Sequence, residues 1–193
     1  LQQHAHIHVG PASGLPVVSL RFDNAGDRQC PFVTQNGCRV YAARPTSCRL
    51  YPLARGLYRS RADGSLSVRY AILTEPHCRG FEEESRQNVN EWIAGQELDT
   101  YLRMNDCLIE LIALKNRLRP GPLTAEHLWW AQLALYDIDT FKEKIASGQP
   151  DREFEQITAH CASPAPNPQE DDERWLNWSL DWIQDFLFGQ RRH

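Results

Sequence analysis

Four cysteines in the first half of the chain, each inside a distinct local phrase, constrain what it folds into more than any other feature. They are Cys30 in Cys30-Pro31-Phe32-Val33, Cys38 in Gly37-Cys38-Arg39-Val40-Tyr41, Cys48 in Arg44-Pro45-Thr46-Ser47-Cys48-Arg49-Leu50-Tyr51-Pro52, and Cys78 in His77-Cys78-Arg79-Gly80-Phe81. Thiolates are soft ligands, and four of them converging close a coordination shell around zinc or an iron–sulfur cluster. No membrane-length apolar run and no basic-then-apolar leader is present in the 193 residues, so the chain reads as soluble and cytoplasmic. In a reducing compartment, clustered cysteines hold metal more often than they pair with each other.

Charge divides the chain in the same place. Residues 21–79 carry 10 arginines, no lysine and 4 acidic residues, while the net charge of the whole is −4. The cysteine segment is therefore basic and the remainder acidic. Arg39, Arg49 and Arg79 each directly follow a cysteine. Around a four-thiolate centre of formal charge about −2 such guanidinium groups, with Arg44 and His77 beside them, are expected as an outer layer that offsets the charge. The alternative is that they make ordinary surface ion pairs. Overall acidity and the lack of a basic aromatic platform argue against nucleic-acid binding.

The remaining patterning predicts an α+β fold, mainly α, in which a small cysteine-rich segment of loops and hairpins packs on a helical C-terminal half. Residues 1–84 read as the metal-binding region with short strands. They hold an alternating His4-Ala5-His6-Ile7-His8-Val9 that puts three histidines on one strand face. A strand follows over Leu15–Phe22, then a short helix near Thr46–Tyr51. A hairpin of Leu57–Ser60 with Ser67–Leu73 turns at Asp63-Gly64. Residues 85–147 read as helical: Asn88–Ala94, then Glu97–Leu118, then a helix capped by Thr124 that bends near Asp137. Residues 148–170 are a proline-rich connector, and 171–193 a final helix with Trp175, Trp178, Trp182, Ile183, Phe186 and Leu187 on one apolar face. That face must dock on the rest of the molecule or on a partner, and a protein substrate or partner is expected on the acidic helical half.

The spacing C-x7-C-x9-C-x29-C lacks the paired knuckles of zinc ribbons and is not a ferredoxin run. The phrase as a whole, C-P-F-x4-G-C-R-V-Y-x2-R-P-x2-C-R-x-Y-P followed by H-C-R-G-F, resembles the YkgJ-like cysteine-cluster family of zinc- or iron-chelating domains. That family includes flagellin lysine N-methylases and proteins labelled Fe–S oxidoreductases. The likeness covers roughly residues 17–105, including Trp92, Gln96 and Tyr101. It implies that Cys30, Cys38, Cys48 and Cys78 are the metal ligands and that Arg44-Pro45 is the family's Arg-Pro signature. Members also carry an earlier motif of the form CxxxCxxCC or CxxCxxCC. Residues 1–29 contain no cysteine, a departure that bears on any chemistry needing a second cluster.

Pro45 fixes its own φ and holds Arg44 extended, which leaves the Arg44 side chain to reach either a ligand sulfur or a nearby carbonyl. Cys107 reads as a buried helical thiol, and Cys161 beside His160 as a weaker ligand candidate. No phosphate loop, GxGxxG entry, G-x-S-x-G elbow or HExxH is present, so the residues by themselves assign no reaction. Four readings follow: an iron–sulfur protein, preferably [4Fe–4S], serving redox or protein-modification chemistry; a structural zinc site; a protein-interaction module organised by the metal; and, from the resemblance alone, a protein lysine N-methyltransferase.

Overall fold

A computed structural model describes residues 4–22, 29–60, 62–76, 78–147 and 164–188. It is a mixed α+β structure with about 48% helix and 17% strand. It divides into two compact units, one of Leu1–Pro31 with Cys107–His193 and one of Phe32–Asp106. This cut differs from the boundary at residue 84 suggested by composition, and the reason is hydrophobic. Leu98 and Leu102 are the residues on which Leu50 and Leu53 of the cysteine segment pack, so residues 85–106 belong with that segment.

In the first unit, β1 (Ala5–Val9) pairs antiparallel with β2 (Pro16–Leu20), from Ala5 opposite Leu20 to Val9 opposite Pro16. The connecting loop is closed by Gly10 N–H to the Leu15 carbonyl (2.9 Å) and Gly14 N–H to the Gly10 carbonyl (2.8 Å). Gly14 has φ +66°, and a Cβ built there would lie 2.6 Å from Nζ of Lys115. Lys115 is itself buried and donates to the Gly121 carbonyl at 2.5 Å, so the loop and the turn after the long helix close around one ammonium. Both the backbone conformation and the space demand glycine. Gly14→Ala is expected to lower the stability of this unit by about 1–3 kcal/mol, measured by chemical denaturation with the unit's tryptophans as probe.

The helices are α3 (Asp99–Leu118), α4 (Ala125–Tyr136), α5 (Ile138–Ala146) and α6 (Asp172–Phe188). Thr124 caps α4 by accepting the His127 N–H at 3.2 Å, as its position predicts. The expected bend at Asp137 is a full break (φ −131°, ψ 62°): its N–H closes α4 on Leu133, and its carboxylate accepts the Thr140 N–H to open α5. Trp175, Trp178, Trp182, Ile183 and Leu187 of α6 are buried with Trp130, Leu133 and Phe141. Trp182 stacks on Phe186 (4.8 Å, 12°) and meets Phe141 edge-on at 5.1 Å. Of the two destinations open to the tryptophan face, the chain's own helices are the one it takes. Ala131 and Ala134 of α4 and Ser179 of α6 are fully buried small residues, and the Ser179 hydroxyl donates to the Ala134 carbonyl at 2.7 Å. Cys107, expected to be buried, is only half-buried. Its helical face is sealed one and two turns later, at Leu111 and Lys115.

The second unit contains the two-residue ladder β3 (Val33–Thr34) with β4 (Gly37–Cys38), α1 (Thr46–Leu50), the hairpin β5 (Leu53–Arg59) with β6 (Leu66–Ile72), and α2 (Val89–Gly95). The hairpin is longer than its strand signal, yet it turns where Asp63-Gly64 predicts. Gly64 has φ +73°. The Asp63 carboxylate is held down to about 2 by hydrogen bonds from Ser60 and Ser65, so it keeps its turn-closing acceptor role at ordinary pH. Asn88 and Glu91 form a reciprocal capping box at the start of α2. The core here is small: Leu50, Leu98 and Leu102, with Leu53, Tyr70, Ile93 and Tyr101 packed against them. Arg55 adds a two-pronged ion pair to Asp106 (2.5 and 2.8 Å) that joins β5 to α3.

Among the described residues, no helix is long and apolar enough to cross a membrane.

Candidate metal centre

The four cysteines of the motif stand on short, separately braced pieces of backbone. Cys30 is half-buried in an irregular stretch just before β3. Cys38 closes β4 opposite Val33, and Arg39 N–H to the Phe32 carbonyl (2.9 Å) continues the ladder. The tight turn between the strands is set by Gly37 at φ +98° and by Thr34, whose hydroxyl donates to the Gly37 carbonyl at 2.9 Å. Cys48 is exposed in the middle of α1, its N–H already bonded to the Pro45 carbonyl at 3.0 Å. Cys78 is half-buried at the entrance of a single 3-10 turn, Arg79–Glu82, and its N–H bonds to the Glu75 carbonyl at 2.9 Å. None of these four, nor Cys107, is in a disulfide.

Cys78 has a neighbour that spacing did not reveal. The Tyr51 hydroxyl lies between Glu75 and Cys78. Desolvation, together with hydrogen bonds to those two groups, pushes its phenol well above the usual tyrosine range. Tyr51 therefore stays a neutral donor beside the thiol at any physiological pH. The Tyr51–Pro52 peptide is cis and is followed by β5.

Three of the arginines expected around the centre have partners in the chain itself. Arg49 is buried, and its three guanidinium nitrogens donate to the carbonyls of Arg44 (3.1 Å), Gln96 (3.1 Å) and Ala42. Its guanidinium also lies over the Tyr101 ring at 4.9 Å. Arg44 donates to the Tyr41 carbonyl (3.0 Å) and the Gln96 side chain (2.9 Å), and covers the Tyr41 ring at 3.6 Å. Of the two partners open to Arg44, a sulfur or a carbonyl, these bonds take the carbonyl. The physical cause lies in helix ends, which leave carbonyls without partners. The 3-10 turn Tyr41–Ala43 and the C-terminus of α2 present such groups side by side, and two guanidinium forks satisfy them together. The Trp92 indole N–H completes the brace by donating to the Leu50 carbonyl at 3.1 Å. Arg79 pairs locally with Glu82 at 2.6 Å on the exposed surface.

Glu97 sits at the joint between α2 and α3 with φ +53°, in the left-handed region usually given to glycine. Leu98 N–H reaches back to the Ile93 carbonyl at 3.1 Å, the helix-ending pattern that this conformation permits. The turn aims the Gln96 carbonyl at Arg49. Trp92, Gln96 and Tyr101 thus share one network with the Arg-Pro phrase, across more than 40 residues of sequence.

As ligands, the four thiols match the chemistry of zinc or an iron–sulfur cluster. They are not gathered into a shell, however: among the described residues, no three His, Cys, Asp or Glu side chains stand together to hold a metal ion. His77, His160 and Cys161 lie outside the described residues. Comparison of the chain with protein-family models, with curated proteins and with solved structures gave no match.

Proposed function

We propose that the chain is a metal-binding protein whose centre is formed by Cys30, Cys38, Cys48 and Cys78, with an iron–sulfur cluster serving redox or protein-modification chemistry as the preferred occupant. The observation that carries this reading is that four thiols of one phrase are unpaired, outside the apolar core and carried on short elements or the stretches beside them. Structural cysteines that only fill space are buried, and these are not. Arg44, Arg49, Gln96 and Trp92 hold the backbone around Cys48 firm. Cys38 is on a ladder of two residue pairs and Cys78 at the start of a single 3-10 turn. Binding on this reading draws the segments of Cys38 and Cys78 toward α1, so ligation and closure within Phe32–Asp106 are one event.

A specific observation favours the second reading, a structural zinc site. The core of Phe32–Asp106 has three buried leucines, while Val33, Tyr41, Tyr58, Leu66, Val68, Ile72 and Phe81 are exposed. A unit of this size with so little buried apolar surface gains directly from a cross-linking ion. Purification without oxygen separates the two. Brown protein with broad absorbance near ~400 nm and acid-labile sulfide supports the cluster. Colourless protein with one tightly held zinc supports the structural site. Colourless protein without stoichiometric metal, after expression with iron and zinc supplied, removes both.

A further inference from the structure

The strand β1 is paired with β2 along its whole length, and alternate side chains of a strand share a face. His6 and His8 therefore stand side by side on a backbone that pairing keeps straight. Both are exposed. Their ring centres are 5.5 Å apart and their planes differ by 31°. Two imidazoles that share one ion through nitrogens at about 2.1 Å have ring centres roughly 5–5.5 Å apart. The pair is thus near chelating distance without backbone movement. Across the ladder the same face shows Ser19 and Val17, neither of which places a competing cation there.

We propose that His6 and His8 form a two-nitrogen site for a divalent transition-metal ion of the class that prefers imidazole, with Zn²⁺ as its representative. Imidazole suits Zn²⁺, Cu²⁺ and Ni²⁺ and has little affinity for Mg²⁺ or Ca²⁺. No third His, Cys, Asp or Glu joins such a pair among the described residues, so the remaining coordination positions belong to water or an incoming ligand. An ion held this way exchanges readily and keeps open positions, unlike one enclosed by four thiolates. The site belongs to the unit of Leu1–Pro31 with Cys107–His193 and does not rest on the four-cysteine reading.

The test is a Zn²⁺ titration of the full, tag-free chain, followed by nuclear magnetic resonance of the histidine ring nitrogens. This reads each imidazole separately even while thiols take up zinc. The His6 and His8 signals are expected to shift together with one midpoint, and Mg²⁺ to leave both unmoved. In His8→Ala the midpoint for His6 rises at least about tenfold, because the second ligand supplied by the strand is gone. His6→Ala does the same to His8. The proposal is overturned if the two rings stay unmoved while other signals saturate, or if His6 keeps its midpoint in His8→Ala. Far-ultraviolet circular dichroism checks that the exposed substitutions leave the fold unchanged.

Discussion

Cys38→Ser and Cys48→Ser are each expected to lower the metal content of purified protein at least about tenfold and to leave Phe32–Asp106 poorly folded, whereas Cys107→Ser and Cys161→Ser keep both. The argument begins with how little else holds that unit. Its core is Leu50, Leu98 and Leu102 with four half-covered neighbours, and the β3–β4 ladder that carries Cys38 is two residue pairs long. Two pairs cannot hold a hairpin in water. A thiolate bond at Cys38 would anchor that ladder, and one at Cys48 would tie it to the braced α1. Serine is nearly the same size as cysteine but is a far weaker ligand for soft metals, so the loss reports ligation and not packing. Cys107 belongs to the helix α3, away from the motif in sequence, and it is not in a disulfide. Elemental analysis of each variant, with amide exchange over residues 32–106, gives both readouts. Equal metal loss in all four variants would sink the assignment of ligands.

Legibility from sequence followed the range of the forces involved. Short-range signals were read closely. Asp63-Gly64 turned the hairpin, Thr124 capped its helix, Asp137 interrupted one, and the period of Trp175, Trp178, Trp182 and Ile183 marked a buried face. Each depends on residues within a few positions of one another. The site was legible as a set of residue types but not as a geometry. Arg49 next to Cys48 looked like a partner for thiolate charge, yet its guanidinium meets Gln96, 47 residues onward. Nothing local signals that, because the Gln96 carbonyl is freed only once α2 has ended beside a left-handed Glu97. The Tyr51 contact with Cys78 was hidden for the same reason, since the β5–β6 hairpin lies between the two residues in sequence.

The largest stability effect of a residue that is not a proposed ligand is expected at Arg49. Its side chain is 8% exposed, and its nitrogens donate to three main-chain carbonyls from two distant segments. Truncation to alanine removes those donors from a site where water is largely excluded. Leaving buried acceptors unmet costs about 1–3 kcal/mol each, less where water enters the new space. Arg49→Ala is therefore expected to reduce the opening free energy of α1 and α2 by roughly 3–5 kcal/mol. The ion pair with Glu97 adds little to this figure. It is 3.9 Å long and Glu97 is 86% exposed, the circumstances in which such pairs contribute least. Glu97→Gln should consequently be close to neutral. Arg49→Lys separates charge from shape. Lysine keeps the positive charge but has one nitrogen where the site uses three, so it restores less than half of the loss. Native-state hydrogen exchange at the amides of Leu50, Trp92 and Ile93 measures each variant. A lysine variant as well protected as the wild type would mean that charge beside Cys48, not the three-carbonyl brace, is what this arginine supplies.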